Sequence, residues 1–151
     1  MSEENSPVED GSVVVATDDD QIRLCYPVMA QLRPAFNEHE FVELVTMMQR
    51  EQGYSLVYVL VNGRAGAAAG FRTGISLAWG RYLYVDDLVT DSGMRSLGLG
   101  QRLINWLFDE TTRRGCEAIH LDSGVHRFDA HRFYMRNGLE IRSHHFSRIV
   151  G

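Results

Sequence analysis

The chain reads as one α/β domain of the α+β kind, a mixed sheet with helices on both faces. Three observations predict it. The length of 151 residues suits one domain, and roughly 70% of the unfolded surface of such a chain can be buried. The composition, 44% hydrophobic and 23% charged, is that of an ordinary globular protein. The elements run β-α-α-β-β-β-α-β-α-β, with strands in succession in the middle and alternation in the second half.

Residues 1–12 form an acidic stretch without an apolar run and read as a flexible leader. Val13 to Ala16 is a short β-branched run, a first strand. Thr17 before Asp18, Asp19 and Asp20 is a helix start, since a hydroxyl and acids complement the free amides of a first turn. That helix should run to Leu32 and stop before Pro34. A second starts at Asn37, with Glu38 and Glu40 in its first turn. It carries Phe41, Leu44, Val45 and Met48 at helical spacing and ends at Gly53.

The period then changes. Tyr54 to Val61 reads as a strand, and Asn62-Gly63 as a hairpin turn. Ala65 to Ala78 is a glycine-broken strand, and Tyr82 to Thr90 a fourth. Leu103, Ile104, Leu107 and Phe108 mark an amphipathic helix from Leu99 to about Arg114, stopped by Gly115. Glu117 to Asp122 is a fifth strand, Phe128 to Arg136 a short helix closed by Asn137-Gly138, and Leu139 to Val150 a last strand.

Charge and composition exclude several classes. The net charge is -5, yet residues 1–20 hold seven of the 20 acids and no base. The remaining 13 acids face 15 bases, a balance of +2, which argues against a general nucleic-acid binder. Every base is arginine, so Schiff-base and phosphate-loop lysines are absent. Cys25 and Cys116 lie far apart and read as buried thiols in a reducing, cytoplasmic setting. No apolar run approaches the roughly 20 residues that span a bilayer.

The most informative stretch is DDLVTDSGMRSLGLGQRLINW, Asp86 to Trp106. A strand ends near Thr90, and a helix opens directly after Gly98-Leu99-Gly100. Glycines allow close backbone approach, and a helix N-terminus offers free N–H groups and about half a positive charge. Together they suit a phosphate, to which Arg95 adds a forked cationic donor. The nucleoside-triphosphate loop is excluded, because Leu99 and Gly100 stand where Lys and Ser/Thr are needed. The dinucleotide fingerprint is excluded because Leu103 occupies its third glycine.

Arg95-Ser96-Leu97-Gly98-Leu99-Gly100 fits R-x-x-G-x-G after a strand. In this the chain resembles the GNAT superfamily of acetyl-CoA-dependent N-acetyltransferases. The order of elements is similar over roughly residues 13 to 150. Leu-Tyr-Val-Asp-Asp-Leu-Val resembles the family strand that flanks acetyl-CoA, and Ala130-His131-Arg132-Phe133-Tyr134 with Asn137-Gly138-Leu139 resembles A-x-x-F/L-Y-x-x-x-G-F. The resemblance implies a mixed, mostly antiparallel sheet of six to seven strands flanked by about four helices, with 13–151 as a single N-acetyltransferase domain. It departs at Arg127, where many members carry an asparagine. The AHRFYxxxG ending also resembles small-amine acetyltransferases, aminoalkylphosphonate acetyltransferases included.

The resemblance further implies site residues. Arg95, Ser96, Leu97, Gly98, Leu99, Gly100 and Gln101 would hold the cofactor's phosphates. The backbone of Leu88, Val89 and Thr90 would pair with its pantetheine arm, and an N–H near Val89 would face the thioester oxygen. Arg127 would reach a phosphate or an acceptor anion. Tyr134 would meet the sulfur: a phenol near ~10 can protonate a thiolate near ~8.5.

Amine acetylation also requires removal of a proton from an ammonium near ~10.4. Asp86 and Asp87 are strand neighbours and should face opposite sides unless a bulge intervenes. Asp86 is the better candidate, by family analogy, for acceptor binding and proton removal. Its alternative role is an acid that only orients the ammonium or ends an ion pair. His120, His126, His131, His144 and His145 match no metal spacing, although His144 and His145 alternate on the last strand, so one could face the acceptor. The resemblance thus implies acetyl-CoA and an amine acceptor as partners and admits a homodimer. No cysteine lies in either motif, which points to direct attack in a ternary complex, and spacing, charge and hydropathy point to no metal, nucleic acid or membrane. A catalytically idle acyl-CoA-binding sensor and a protein N-terminal or lysine acetyltransferase remain as rivals.

Overall fold

The structure, a computed structural model, describes residues 9–151. Residues 1–8 of the expected leader lie outside the described residues. From Glu9 onward the leader is tied down: Gly11 N–H donates to Leu60 O at 2.6 Å, and Asp10 Oδ1 accepts from Asn62 N–H at 3.0 Å. The described residues divide into two compact units, one ending at His120 and the other running from Leu121 to Gly151.

The first unit is built on β1 (Val13–Val15), α1 (Asp19–Leu32), α2 (Glu38–Gln52), β2 (Ser55–Val61), β3 (Arg64–Ser76), β4 (Gly80–Thr90) and α3 (Leu99–Arg113). β5 (Ala118–Leu121) completes a sheet of order β1-β2-β3-β4-β5, in which β1 to β4 pair antiparallel. The expected six to seven strands are corrected to five among the described residues.

Local chemistry explains the helix ends. α1 is capped by Asp18, whose carboxylate accepts from Gln21 N–H; Thr17, one residue earlier, instead binds the Gln21 side chain. α2 opens with a reciprocal box in which Asn37 and Glu40 each accept the other's backbone N–H. Gly53, in the left-handed region at φ 64°, ends it.

Alternation along the strands sends side chains to two faces. Leu56, Tyr58 and Ala68 pack with Ile22, Cys25, Met29, Phe41 and Val45 of α1 and α2. Phe71 faces the other way and meets Trp106 of α3, ring centroids 5.8 Å apart. Cys25 is buried, its thiol pushed up to about 12 by that burial, whereas Cys116 is half-buried rather than buried.

The second unit carries α4 (Phe128–Arg136), closed by Asn137, whose N–H reaches the carbonyls of Phe133 and Tyr134. The expected last strand, Leu139 to Val150, is corrected: these residues adopt no regular structure, and Ile141, Phe146, Ile149 and Val150 stand exposed. A strand exists only by its ladder, and propensity alone does not supply a neighbour. No helix among the described residues is long and apolar enough to cross a membrane.

Candidate functional site

The glycine loop is assembled by a bulge on β3. Leu60 pairs with Ala65 and Val59 with Ala67, which leaves Gly66 between them without a partner on β2. Its carbonyl accepts Asp91 N–H at 2.8 Å. A Cβ at Gly66 would lie 2.6 Å from Leu99 Cδ1 and 3.0 Å from Met94 Sδ. The missing side chain therefore lets the loop after β4 close onto the sheet. Leu99 is buried there as the anchor.

Between them Arg95–Leu97 make one 3-10 turn, exposed like Gly98. Gly98 sits in the left-handed region at φ 72°, which a residue with a Cβ adopts only under strain. The first helical bond of α3 runs from Arg102 N–H to Gly98 O at 3.2 Å. The amides of Leu99 and Gly100 precede it, in the first turn where a helix offers N–H groups that it does not pair itself. Gly98, as the N-cap, has no side chain to cap this end, and the partial positive charge there suits an anion. Arg95, Ser96 and Gln101 are exposed beside it.

β4 carries a second irregularity. Gly70 pairs with Asp87 and Phe71 with Val85, so Asp86 is the extra residue of a bulge. Gly70 and Arg72 share one face of β3. Asp87 stands opposite Gly70, and Asp86 accepts from Arg72 Nε at 3.1 and 3.2 Å. The bulge thus turns both carboxylates to the same face, which strict alternation would not do.

Their surroundings differ. Asp87, whose side chain is 13% exposed, accepts from Arg33 Nε at 2.9 Å and from Tyr54 Oη at 2.8 Å. Asp86, 27% exposed, keeps Arg72 as its ion-pair partner. Burial raises the Asp86 carboxyl above its ordinary range, against the opposing pull of Arg72, and the Asp87 charge adds to the rise. Arg33, Tyr54 and Arg72 were not singled out by sequence reasoning; Arg33 and Tyr54 lie far from the aspartates along the chain, Arg72 comes from the neighbouring strand, and none carries a motif. Beyond Asp87, Leu88 is buried, Val89 packs on the α1–α2 core, and both pair with β3 at Ala69 and Ala68.

In the second unit, Arg127 stands at the N-cap of α4 and Tyr134 in its last turn, the latter 8% exposed. Burial raises the Tyr134 hydroxyl, while the Arg127 charge and its hydrogen bond pull it down. His144 and His145 are exposed and on no strand, which removes the alternation expected of them. His145 Nδ1 lies 3.8 Å from Asp122 Oδ2. His131 Nε2 lies 2.8 Å from the Gly124 carbonyl.

The family described as Acetyltransferase (GNAT) family matches residues 20–139. The chain belongs to that family. An N-acetyltransferase of Bacillus subtilis, YhdJ, itself uncharacterized, is 31% identical over 126 residues, 83% of this chain and 89% of the relative. The aminoalkylphosphonate N-acetyltransferase of Salmonella typhimurium is 33% identical over 66 residues, 44% of this chain and 43% of that one. Among solved structures, an aminoglycoside acetyltransferase from a soil metagenome, complexed with sisomicin, superimposes with a TM-score of 0.78. It is 14% identical, with 93% of this chain and 96% of that one covered, so it speaks for the fold. The protein is accordingly a GNAT acetyltransferase, and the glycine loop and the bulged strand fall inside the matched residues.

Proposed function

We propose that the chain moves the acetyl group of acetyl-CoA to a primary amine of a small molecule, by direct attack in a ternary complex. The observation that carries this reading is the open N-terminus of α3. Gly98 and Gly100 put no side chain before its free amides, and Arg95 stands exposed at its rim. A diphosphate fits such a donor set. When bound, acetyl-CoA supplies the electrophilic thioester.

This chain's residues would do the rest. Arg95, Ser96, Leu97, Gly98, Leu99, Gly100 and Gln101 bind the diphosphate, and Leu88 to Thr90 offer backbone groups to the pantetheine arm. Asp86 receives the ammonium and takes its proton, directly or through water. The Asp86 carboxylate is available once the incoming cation shares it with Arg72. Tyr134 donates its proton to the departing thiolate, with Arg127 beside it. The buried Cys25 thiol, protonated at any working pH, fits no acetyl-enzyme role. The low-pKa environment of a nucleophilic cysteine is the opposite of its own.

Titration calorimetry with coenzyme A is the decisive experiment. Saturable heat is expected, and its absence would remove the transferase reading. Free-thiol release from acetyl-CoA should then be followed with a panel of amines. Aminoalkylphosphonates belong on it because a relative is named for them. Tyr134→Phe is expected to lower turnover by about tenfold or more while coenzyme A heat is retained. Unchanged turnover would strip Tyr134 of its proton-donor role.

A further inference from the structure

We propose that Arg33, Tyr54 and Asp87 form a latch that holds the β4 bulge and so positions Asp86 for the acetyl transfer proposed above, on which this inference rests. A bulge leaves one residue outside the ladder, and this one sets two like charges on one face. Something must hold that arrangement. The structure places three groups from three other elements upon it.

The first is the Arg33 guanidinium. Its Nε donates to Asp87 Oδ1 at 2.9 Å, and its Nη2 donates to the backbone carbonyl of Asp86 at 3.1 Å. One planar fork thus grips a carboxylate and the carbonyl of the unpaired residue together. A lysine, as a point charge, matches that pair poorly. Arg33 is delivered by the end of α1: its own N–H closes on Met29 O, and Pro34 stops the helix from continuing.

The second is Tyr54, at the entrance to β2. It is 4% exposed and donates to the other Asp87 oxygen at 2.8 Å. The third is Gly70 of β3, across which the ring gets there. A Cβ at Gly70 would fall 1.6 Å from Tyr54 Oη. The glycine opposite Asp87 is therefore the passage through which the phenol reaches the carboxylate. Burial, then the Asp87 charge and hydrogen bond, then the charges of Asp86 and Cys25, raise the Tyr54 hydroxyl well above its ordinary range. It stays a donor throughout the working pH range.

Both Asp87 oxygens are consequently occupied by fixed donors, while the Asp86 side chain, held by Arg72, is the more open of the two. Arg33, Tyr54 and Asp87 are positioning residues. They fix the bulge, and the bulge fixes which way Asp86 faces.

The test compares Tyr54→Phe, Arg33→Ala and Arg33→Lys with Arg23→Ala, an exposed arginine of α1, as control. Amide hydrogen exchange is read by NMR, and turnover with an amine the wild type acetylates. In Tyr54→Phe and Arg33→Ala, exchange at Asp86 to Thr90 should quicken by about tenfold, with Leu103 and Leu107 of α3 unmoved. Turnover kcat should fall by about tenfold and the acetyl-CoA KM stay within about threefold. Ethylguanidinium should restore part of the Arg33→Ala loss and none of the Tyr54→Phe loss, and Arg33→Lys should remain impaired. Unchanged exchange at Asp86 to Thr90 overturns the latch. Quickened exchange with undiminished turnover overturns its positioning role, as does quickening that extends through α3. If the wild type acetylates no amine, the transferase reading fails by itself, and exchange still decides whether these residues hold the bulge.

Discussion

Asp86→Asn is expected to lower kcat by about 10²-fold or more and to erase the acid limb of the kcat/KM profile. The size follows from what a positioned general base contributes. The direction follows from the environment of the carboxyl. An ammonium near ~10.4 gives its proton poorly to an ordinary aspartate near ~3.9, and every rise in the acceptor's proton affinity narrows that gap. Burial supplies such a rise at Asp86, the neighbouring Asp87 charge adds to it, and Arg72 opposes it. The carboxyl therefore loses its proton above the ordinary aspartate range. Activity should climb with pH through that ionisation, because only the carboxylate can accept a proton. Arg72→Met, by removing the opposing cation, should move the same limb to higher pH. Steady-state kinetics across the acid range check both statements. An Asp86→Asn enzyme with the wild-type profile would discard Asp86 as the titrating group and leave it as an orienting acid.

The two halves of the candidate site were legible to different degrees in the sequence, for a physical reason. The glycine loop is local. Arg95 through Gly100 and the helix behind them lie within one short stretch, and the left-handed turn at Gly98 is a property of the residue itself. The order of elements up to α4 was legible for the same reason, since Asn37, Gly53 and the Asn62-Gly63 turn act on their own neighbourhood. The β4 bulge is not local. It is a mismatch of register between two strands, and neither strand's pattern displays it alone. The alternation of Asp86 and Asp87 accordingly pointed to opposite faces. Their partners come from 54 residues away in the case of Arg33 and 33 in the case of Tyr54. The only trace of this in the sequence is a glycine in β3, read there as a weakness of the strand. The segment after Asn137 shows the converse. Leu139-Glu140-Ile141-Arg142 alternates as a strand should, yet the pattern is spent by His144-His145-Phe146, and none of these residues joins a ladder.

That glycine yields the largest stability effect. Gly70→Ala is expected to destabilise the fold by about 2–4 kcal/mol, from strain of about 1–3 kcal/mol for overpacking plus about 1–3 kcal/mol for a buried polar group left unpaired, the two overlapping in part. The backbone at Gly70 is not in the left-handed region, so the cost is one of space alone. The added methyl would stand 1.6 Å from Tyr54 Oη and 2.2 Å from Cζ. No adjustment of a few tenths of an ångström relieves that, so the ring must leave. Tyr54 sits among core residues that include Cys25, Leu56 and Phe41, and its displacement opens their packing as well as the bond to Asp87. Urea unfolding should show a lower midpoint at an unchanged slope, the mark of lost stability without a change in the surface exposed. Gly66→Ala offers a contrast, because there the nearest atom is the end of the flexible Leu99 side chain, at 2.6 Å. It should cost less in stability and more in coenzyme A affinity, since the residue displaced begins the helix whose amides face the anion. Equal midpoints for Gly70→Ala and the wild type would mean that Tyr54 can vacate the passage freely, and Asp87 would then have no fixed donor on that side.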